Sequence, residues 1–505
     1  MLSEQQQAVV DYATSTNDAL LVPAGAGCGK TSTLLAVAEV LRSQGRRVVY
    51  LAYNRPIKDE AKAKFGSNAA VFTAHGIAFG ALKINQVMRN RKMGRIYPDQ
   101  VVRALKLTAS DCDGPLRDYA NDVLSTMNRY IQTGDAIVTE ACLPARLATS
   151  GVTDAYRSSV VDHAMDLFLA AAPGEKTGLP LPHDVYLKYW QVIGTPGLEK
   201  FDDILLDEAQ DANPVILAAL EGKRVIYVGD THQQIYSFRG AIDAMNAIDA
   251  PELAITQSYR FGPVIAELAN AVLSKKKNTP LKFPLKGLAR LNTQIVANQP
   301  QPPCTRIYRT NYPLIADSFV LRDQGINTAL NGDMRDLADQ IESLEALRCG
   351  DKYRVRDPLI KSFASYNSLA AASQDNGVFA RELRQIVRIL TDFSARYTEL
   401  LHFLRGEEAS NPGARTVTFT TAHKSKGCEW DSVAIMADFD LILNAKDEYA
   451  MRPAQRDEEL NLLYVAITRA RRELNIQNSY LLNIAHEAGL IDATAQLTAQ
   501  VRSRV

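Results

Sequence analysis

Residues Leu20–Thr31 read Leu-Leu-Val-Pro-Ala-Gly-Ala-Gly-Cys-Gly-Lys-Thr, and this stretch decides the fold of the chain. An apolar run ends at a proline, a glycine-rich turn follows, and the next segment carries apolar residues at helical spacing as far as Leu41. This order predicts a buried strand, a loop and a helix. Such units are typical of α/β domains with a parallel sheet.

The glycine-rich turn predicts a binding loop for a nucleoside triphosphate. In such a loop the backbone N–H groups point at the phosphates, Lys30 neutralises the β- and γ-phosphates, and the Thr31 hydroxyl reaches Mg²⁺. The N-terminus of the following helix adds partial positive charge. Ala24 stands where the usual pattern has its first glycine, and a fortuitous glycine-rich turn is the alternative. The expected phosphate-binding positions are Gly25, Ala26, Gly27, Cys28, Gly29, Lys30 and Thr31.

Length and composition limit the possible protein classes. The chain has 505 residues, of which 46% are apolar, so we expect about two to four folded domains. No run approaches about 18 uncharged apolar residues and no signal-peptide pattern occurs, which predicts an intracellular protein without a membrane span. The six cysteines include no C-x-x-C pair, which argues against zinc ribbons and iron–sulfur clusters. Because Lys and Arg balance Asp and Glu at 57 each, a nucleic acid would have to bind in a local groove.

Two carboxylates at the end of a later apolar run complete the expected phosphate site. The run Asp203–Leu206 is followed directly by Asp207 and Glu208. Downstream of a phosphate-binding loop, Asp207 can hold the Mg²⁺ shell and Glu208 can orient the attacking water. The alternative is a pair of acids at an ordinary strand end.

The next apolar run, Arg224–Gly229, opens into a loop that carries Gln233, Phe238 and Arg239. The glutamine could sense a γ-phosphate, and the aromatic ring and the guanidinium could face a nucleic acid. This loop could therefore couple two ligands.

Four candidate contact residues lie nearer the N-terminus. Gln6 belongs to a capped amphipathic helix, and its amide could read an adenine edge, although surface glutamines are common. Tyr53 follows one short apolar run, and Thr73 and His75 follow another, where parallel sheets place their ligands. Tyr53 could stack on a base, and Thr73 or His75 could bond a phosphate. A core tyrosine and a capping threonine are the alternatives.

Six blocks of sequence, taken in order, resemble a UvrD/Rep-type superfamily 1 DNA helicase. These blocks are Ala24–Thr31, Asp207–Asp211, Gly229–Ala241, Gln257–Arg260, Thr421–Trp430 and Leu463–Ala470. Three further stretches look most like the F-box DNA helicase branch, and they are Tyr53–Asn54, His183–Trp190 and Tyr259–Gly262. We expect the chain to lack both an F-box and a nuclease domain.

The resemblance implies an α/β fold with two RecA-like, parallel-sheet P-loop domains, each interrupted by a mainly helical insertion. The first domain is expected at 1–82 and 184–265 around an insertion at 83–183. The second is expected at 266–315 and 413–505 around a short insertion at 316–412. Strands are expected from Thr305, Val417 and Asp431, and a helix is expected from Glu459 to Arg472. We interpret the run Lys275–Lys277 as solvated surface, with phosphate contact as the alternative.

The resemblance also implies roles for individual residues. The ATP-hydrolysis positions are Lys30, Thr31, Asp207, Glu208, Gln233, Arg260 and Arg469. Arg260 and Arg469 would act as arginine fingers. The adenine contacts are Gln6 and Tyr259, the ribose contact is Glu429, and the single-strand contacts are Tyr53, His75, Phe238, Arg239 and His423. Phe238 replaces the tryptophan common in bacterial relatives, and Ser32 stands where those relatives carry an arginine near the adenine.

The function implied is that of an ATP- and Mg²⁺-dependent translocase and DNA helicase, which acts on single-stranded and tailed duplex DNA in the 3′ to 5′ direction. A DNA-stimulated ATPase that removes proteins from single strands with little unwinding is the alternative. A small-molecule kinase would leave Arg469 and Phe238 without a purpose, and an inactive scaffold would not need the catalytic residue types. A separate nuclease or repair factor could be a partner, and the pathway is left open among repair, control of recombination, plasmid or phage replication, and defence. The expected location is the cytoplasm, with the nucleoid for a bacterial protein and the nucleus for a eukaryotic one.

Overall fold

The computed structural model describes residues 2–109, 112, 114–148, 151–175, 177–235, 244–374, 378–406, 416–443 and 453–491. For residues 378–382 and 441–442 only the backbone is described. The chain divides into two compact units, Met1–Ile255 and Thr256–Val505. The predicted division at 265 lies within the second unit, and the predicted domain ranges stay predictions.

The first unit is built on a five-stranded parallel sheet with the order β1-β5-β4-β2-β3. Burial explains why most of its strands were recognisable, since β2, β4 and β5 are buried along their whole length. The edge strand β3 is only partly buried. The strands are β1 Leu20–Pro23, β2 Val48–Ala52, β3 Ala70–Thr73, β4 Asp203–Leu206 and β5 Val225–Gly229.

The segment between β3 and β4 of the first unit is mainly helical, as the sequence predicts. A single apolar core joins the sheet to these helices, because Val49 and Leu51 of β2 belong to the same cluster as Val123, Phe168 and Trp190. The helices are α1 Glu4–Ser15, α2 Lys30–Ser43, α3 Arg55–Phe65, α4 Ala74–Ala81, α5 Ile84–Val87, α6 Pro98–Leu105, α7 Leu116–Tyr130, α8 Asp154–Ala171, α9 His183–Val192, α10 Pro214–Leu220 and α11 Ala244–Ala247.

The second unit contains a six-stranded parallel sheet with the order β6-β11-β10-β7-β9-β8. The strands expected near Thr305, Val417 and Asp431 are confirmed as β7, β9 and β10. The short strands β6 and β8 were not expected, and β8 falls within the range read as helical. The strands are β6 Gln294–Val296, β7 Cys304–Tyr308, β8 Thr328–Leu330, β9 Val417–Thr421, β10 Trp430–Ile435 and β11 Ala470–Ile476.

The helices of the second unit include one correction. The helix expected to continue to Arg472 ends at Ile467, and β11 begins at Ala470. The Thr468 hydroxyl donates to the carbonyls of Tyr464 and Val465, which satisfies acceptors in the last turn of the helix. The helices are α12 Pro263–Leu273, α13 Asn311–Asp323, α14 Arg335–Arg348, α15 Pro358–Lys361, α16 Tyr366–Ser373, α17 Val378–Asp392, α18 Tyr397–Arg405, α19 Ala422–Ser425, α20 Asp440–Leu443, α21 Pro453–Ile467 and α22 Ser479–Glu487.

The lysine run after α12 is a second correction. Lys276 is buried, and its Nζ donates to Asn461 Oδ1 at 2.8 Å. The interpretation as solvated surface is therefore wrong for Lys276, because this buried side chain joins the segment after α12 to Asn461 of α21. Among the helices that the structure describes, none combines the length and the apolar character needed to cross a bilayer.

Candidate nucleotide-binding site

The glycine-rich loop lies between β1 and α2, as the sequence predicts. Its first residues are held by neighbouring backbone, since the Ala24 N–H donates to Gly229 O at 2.8 Å and the Gly25 N–H to Ile255 O at 3.2 Å. Gly27 and Gly29 have φ angles of 73° and 81°, in the left-handed region that favours glycine. The loop thus needs glycine at these two positions for its backbone conformation.

Gln6 connects α1 to this loop. Its Oε1 accepts from the Ser3 N–H at 3.0 Å, and its Nε2 donates to the Cys28 carbonyl at 3.3 Å. A Cβ atom on Gly29 would lie only 2.7 Å from this Nε2. A primary amide still has a second hydrogen and a second lone pair for another partner. The adenine contact of Gln6 therefore stays a prediction. In this structure the amide joins the start of α1 to the glycine-rich loop.

Asp207 follows the buried strand β4 and is itself buried. Its Oδ2 accepts from the Tyr50 hydroxyl at 2.6 Å and from Thr31 Oγ1 at 3.4 Å, while its Oδ1 accepts from the Glu208 N–H at 2.8 Å. Burial and the neighbouring Glu208 carboxylate raise the pKa of Asp207, whereas the Tyr50 hydrogen bond and the Lys30 charge oppose that rise. The structure thus brings the predicted pair Thr31 and Asp207 together.

Glu208 lies at the turn after Asp207. Its backbone has a φ of 51°, an uncommon value for a residue with a side chain. Its Oε1 lies 3.8 Å from Lys30 Nζ, and its Oε2 accepts from Gln210 Nε2 at 2.5 Å. The left-handed backbone and the two side-chain partners hold the carboxylate at the loop that begins α2.

Gln210 links Glu208 to the loop that follows β5. Its Oε1 accepts from the Asp230 N–H at 2.9 Å, and Asp230 Oδ2 in turn accepts from Gln233 Nε2 at 2.7 Å. All three side chains are buried or nearly so. Gln233 therefore connects to Glu208 through two intervening residues, the Gln210 side chain and Asp230, whose backbone N–H and carboxylate each take part. Phe238 and Arg239, predicted farther along the same loop, lie outside the described residues.

The oxygen atoms of Thr31 and Asp207 fit a magnesium ion that binds together with a nucleotide. Mg²⁺ is usually held by one or two carboxylates plus phosphates and water. Among the residues that the structure describes, no group of three or more His, Cys, Asp or Glu side chains could hold a metal ion. The described donors thus suit an ion that takes most of its ligands from phosphates and solvent.

Two of the predicted DNA contacts of the first unit, Tyr53 and His75, lie next to the carboxylates of Asp207 and Glu208. A cavity of about 390 Å³ has Tyr53, His75, Asp184, Asp207 and Glu208 in its wall. His75 Nε2 lies 3.5 Å from Asp184 Oδ1, and the hydrogen bond and charge of His75 lower the pKa of Asp184. The segments that follow β2, β3 and β4 therefore bring the predicted DNA contacts Tyr53 and His75 and the predicted catalytic acids to one cavity.

Thr73 and Tyr53 bear on the alternatives that the sequence left open. Thr73 Oγ1 accepts from the Gly76 N–H at 3.0 Å and caps α4. Tyr53 is 38% exposed, so it is not a core tyrosine. In this structure Thr73 is therefore a capping residue. Its phosphate contact and the stacking of a base on Tyr53 stay predictions.

Arg260 and Glu429 form an ion pair in the second unit. Arg260 Nε donates to Glu429 Oε2 at 2.8 Å, and Arg260 Nη1 donates to the Thr468 carbonyl at 3.0 Å. Arg471 Nη1 lies 3.4 Å from the other oxygen of Glu429. Tyr259 is 41% exposed, and His423 is half-buried on α19. The predicted ribose contact Glu429 thus has two arginine partners within its own unit.

Arg469 lies in the connection between α21 and β11 and is almost completely buried. Its guanidinium donates to the Val465 carbonyl at 2.8 Å, the Cys428 carbonyl at 3.2 Å and Thr468 Oγ1 at 3.0 Å. The role of Arg469 as an arginine finger stays a prediction, and in this conformation its nitrogens are engaged by neighbouring residues of the second unit.

Three residues at the site had no role assigned from the sequence. Tyr50 lies within an apolar run, where the pattern indicates burial alone, and its contact with Asp207 depends on the register of β2 against β4. Gln210 lies within Asp207–Asp211 and Asp184 within His183–Trp190, yet each contacts a residue that is distant in the chain, Asp230 and His75 respectively. The sequence did contain one indication for Tyr50. A hydroxyl in the middle of a buried strand requires a hydrogen-bond partner, so a polar contact could have been expected there.

Comparisons with known proteins identify similar chains. Two family models match, an AAA domain over residues 5–239 and a UvrD-like helicase C-terminal domain over residues 333–480. F-box DNA helicase protein 1 of Schizosaccharomyces pombe is 29% identical over 97% of the chain and 59% of its own length. F-box DNA helicase 1 of Gallus gallus is 27% identical over 96% of the chain and 50% of its own length. ATP-dependent DNA helicase UvrD2 of Mycobacterium bovis is 26% identical over 55% of the chain and 48% of its own length. The chain thus spans 50–59% of the two F-box relatives.

Proposed function

Because the chain belongs to the UvrD-like superfamily 1 DNA helicases, we propose that it uses ATP and Mg²⁺ to translocate along single-stranded DNA and to unwind tailed duplexes. We further propose that translocation runs from 3′ to 5′, as the resemblance implies. The observation that carries the proposal is the assembly of Lys30, Thr31, Asp207 and Glu208 around one loop of the first unit.

The proposed ATPase roles follow from these contacts. Lys30 binds the β- and γ-phosphates, and Thr31 and Asp207 would hold Mg²⁺, which supplies charge stabilisation to the transferring phosphoryl group. Once Lys30 contacts phosphate, the Glu208 carboxylate remains to orient the attacking water, and Gln210 holds its second oxygen. The link from Glu208 through Gln210 and Asp230 supports a role for Gln233 in sensing the γ-phosphate.

The proposed DNA contacts of the first unit are Tyr53, Thr73 and His75. Tyr53 and His75 share a cavity wall with Asp207 and Glu208, so a strand bound at these residues would lie next to the catalytic acids. Stacking on Tyr53 and hydrogen bonds from His75 are sequence-tolerant contacts, which suit a protein that moves along any single strand. This proximity supports stimulation of ATP hydrolysis by DNA.

A second candidate function is a DNA-stimulated ATPase that removes proteins from single-stranded DNA with little unwinding. The described site favours neither activity over the other, because both need the same ATPase and the same strand contacts. The names of the relatives, DNA helicases in each case, favour unwinding. Protein partners and the location in the cell stay predictions.

The test compares ATP hydrolysis and strand separation by the purified chain. We expect ATP hydrolysis to rise on addition of single-stranded DNA, and we expect displacement of duplexes with a 3′ tail but not of duplexes with a 5′ tail. Lys30→Ala, which removes the phosphate-binding ammonium, serves as the inactive control. Hydrolysis that ignores DNA would contradict both candidate functions. Release of streptavidin from biotinylated single strands, without duplex displacement, would favour the second candidate.

A further inference from the structure

Tyr50 has a place in the site that neither the sequence pattern nor the comparisons assign. We propose that the Tyr50 hydroxyl is a positioning group, which fixes the Asp207 carboxylate and thereby determines how tightly the nucleotide site binds Mg²⁺. The proposal rests on the proposed function, because it takes Asp207 as a ligand of the nucleotide-bound metal.

The contact between Tyr50 and Asp207 joins two neighbouring strands. Tyr50 is fully buried in β2 and is paired with Leu205 of β4, two residues before Asp207. Its hydroxyl donates to Asp207 Oδ2 at 2.6 Å, and its ring packs on Phe65 with the ring centroids 4.5 Å apart. The ring is thus held by the core, and the hydroxyl has little freedom to leave the carboxylate.

The described donors to Asp207 show what the hydroxyl contributes. The Glu208 N–H holds Oδ1, and the Tyr50 hydroxyl holds Oδ2, so one donor on each oxygen fixes the plane of the carboxylate. Thr31 Oγ1 is also near Oδ2, at 3.4 Å, but Thr31 is itself a proposed metal ligand. With Mg²⁺ bound, Tyr50 would therefore be the side chain that still orients Oδ2 from the protein side.

The effect expected from removing the hydroxyl is specific to the metal. Partners that orient metal-binding groups typically account for about 10–100-fold in metal affinity. Tyr50→Phe keeps the aromatic ring and its packing on Phe65 but removes the single donated hydrogen. We therefore expect about tenfold or greater weakening of metal binding, while the loop that binds the phosphates, with which Tyr50 has no described hydrogen bond, retains its affinity for metal-free nucleotide.

The experiment measures metal and nucleotide separately. Mn²⁺ replaces Mg²⁺, and its binding to the ADP complex is followed by electron paramagnetic resonance. Fluorescent ADP is titrated in the presence of EDTA to give metal-free nucleotide affinity, and thermal unfolding monitors the fold. Tyr227→Phe is the matched control, because Tyr227 is a buried tyrosine of the same sheet on β5 and is not among the described donors to Asp207.

The outcomes separate this inference from the proposed function. We expect Tyr50→Phe to weaken Mn²⁺ binding about tenfold or more with unchanged metal-free ADP affinity, and Tyr227→Phe to change neither. Unchanged Mn²⁺ affinity in folded Tyr50→Phe would overturn the inference. A loss of folding, or an equal loss of ADP and Mn²⁺ binding, would also overturn it by making the hydroxyl structural. Failure of the unmodified chain to bind Mn²⁺ and ADP would instead contradict the proposed function.

Discussion

Replacing Gly29 by alanine would introduce a methyl group where the structure has room for none. The residue has a φ of 81°, and a Cβ atom would lie 2.7 Å from Gln6 Nε2. A left-handed backbone costs a residue with a side chain about 1–2 kcal/mol. The methyl group would also push away the Gln6 amide and break its bond to the Cys28 carbonyl, which is worth about 0.5–1.5 kcal/mol. We expect Gly29→Ala to lower the free energy of unfolding of the first unit by about 1.5–3.5 kcal/mol.

Gly45 provides a matched control for the backbone contribution. It has the same φ of 81°, but nothing lies within 4 Å of a Cβ atom built on it. Gly45→Ala should therefore cost only about 1–2 kcal/mol. In a Gln6→Ala background, Gly29→Ala should cost no more than this, because the amide that meets the methyl group has been removed.

The assay is urea denaturation of the first unit. The chain has two tryptophans, so Trp430→Phe leaves Trp190, which is buried on α9 of the first unit, as the fluorescent reporter. Equal cost of Gly29→Ala with and without Gln6 would refute the reasoning. A Gly29→Ala cost no greater than that of Gly45→Ala would refute it as well.

Three further predictions concern the first unit. Glu208→Gln should still bind ATP and Mg²⁺ but should hydrolyse ATP at least about a hundredfold more slowly. Steady-state ATPase assays and nucleotide titration measure the two properties. A loss of nucleotide binding equal to the loss of turnover would contradict the water-orienting role. Arg91→Leu should lower the free energy of unfolding by about 2–4 kcal/mol. The reason is that the buried Arg91 guanidinium donates to four backbone carbonyls, those of Ala171, Ala172, Leu179 and Pro180. An unchanged midpoint of urea denaturation would contradict this prediction. Burial lowers the pKa of Lys188 to about 8, below the ordinary 10.5, so the unfolded chain binds more protons between these values. The free energy of unfolding should therefore rise with pH across that window more steeply in the unmodified chain than in Lys188→Met, and parallel pH profiles would contradict it.

The parts of the fold that the sequence predicts are those in which a local pattern decides the structure. The strands β1, β4 and β5 are short apolar runs next to turn signals, and burial on both faces requires that composition. The strands β6 and β8 are only three residues long and partly exposed, so no run or alternation identifies them. The start of β11 is charged and follows a helix closely, and the strand forms between β6 and β10, which are distant from one another in the chain.

The same distinction between local patterns and contacts distant in the chain applies to the residues of the candidate site. Lys30 and Thr31 are predictable because the loop itself places them, and Asp207 and Glu208 because they end a buried strand. Tyr50, Gln210 and the buried Lys276 were missed because their partners come from other parts of the chain. Strand register and helix packing determine these contacts, and neither is visible in a short stretch of sequence.

The order of strands in the first unit has a consequence for synthesis of the protein. The strand β1 pairs with β5, and its other side is bonded to the segment Pro251–Ile255, through Leu21 N to Pro251 O at 2.9 Å and Ile255 N to Pro23 O at 2.8 Å. At about 5–20 residues per second, a ribosome needs about 10–40 s to make the roughly 200 residues that separate β1 from these partners. During that interval the apolar strand that leads into the phosphate loop has no place in a sheet. A nascent chain that stops before β5 would therefore contain Lys30 and Thr31 yet be unable to retain ATP, and it would present Leu20–Val22 to chaperones.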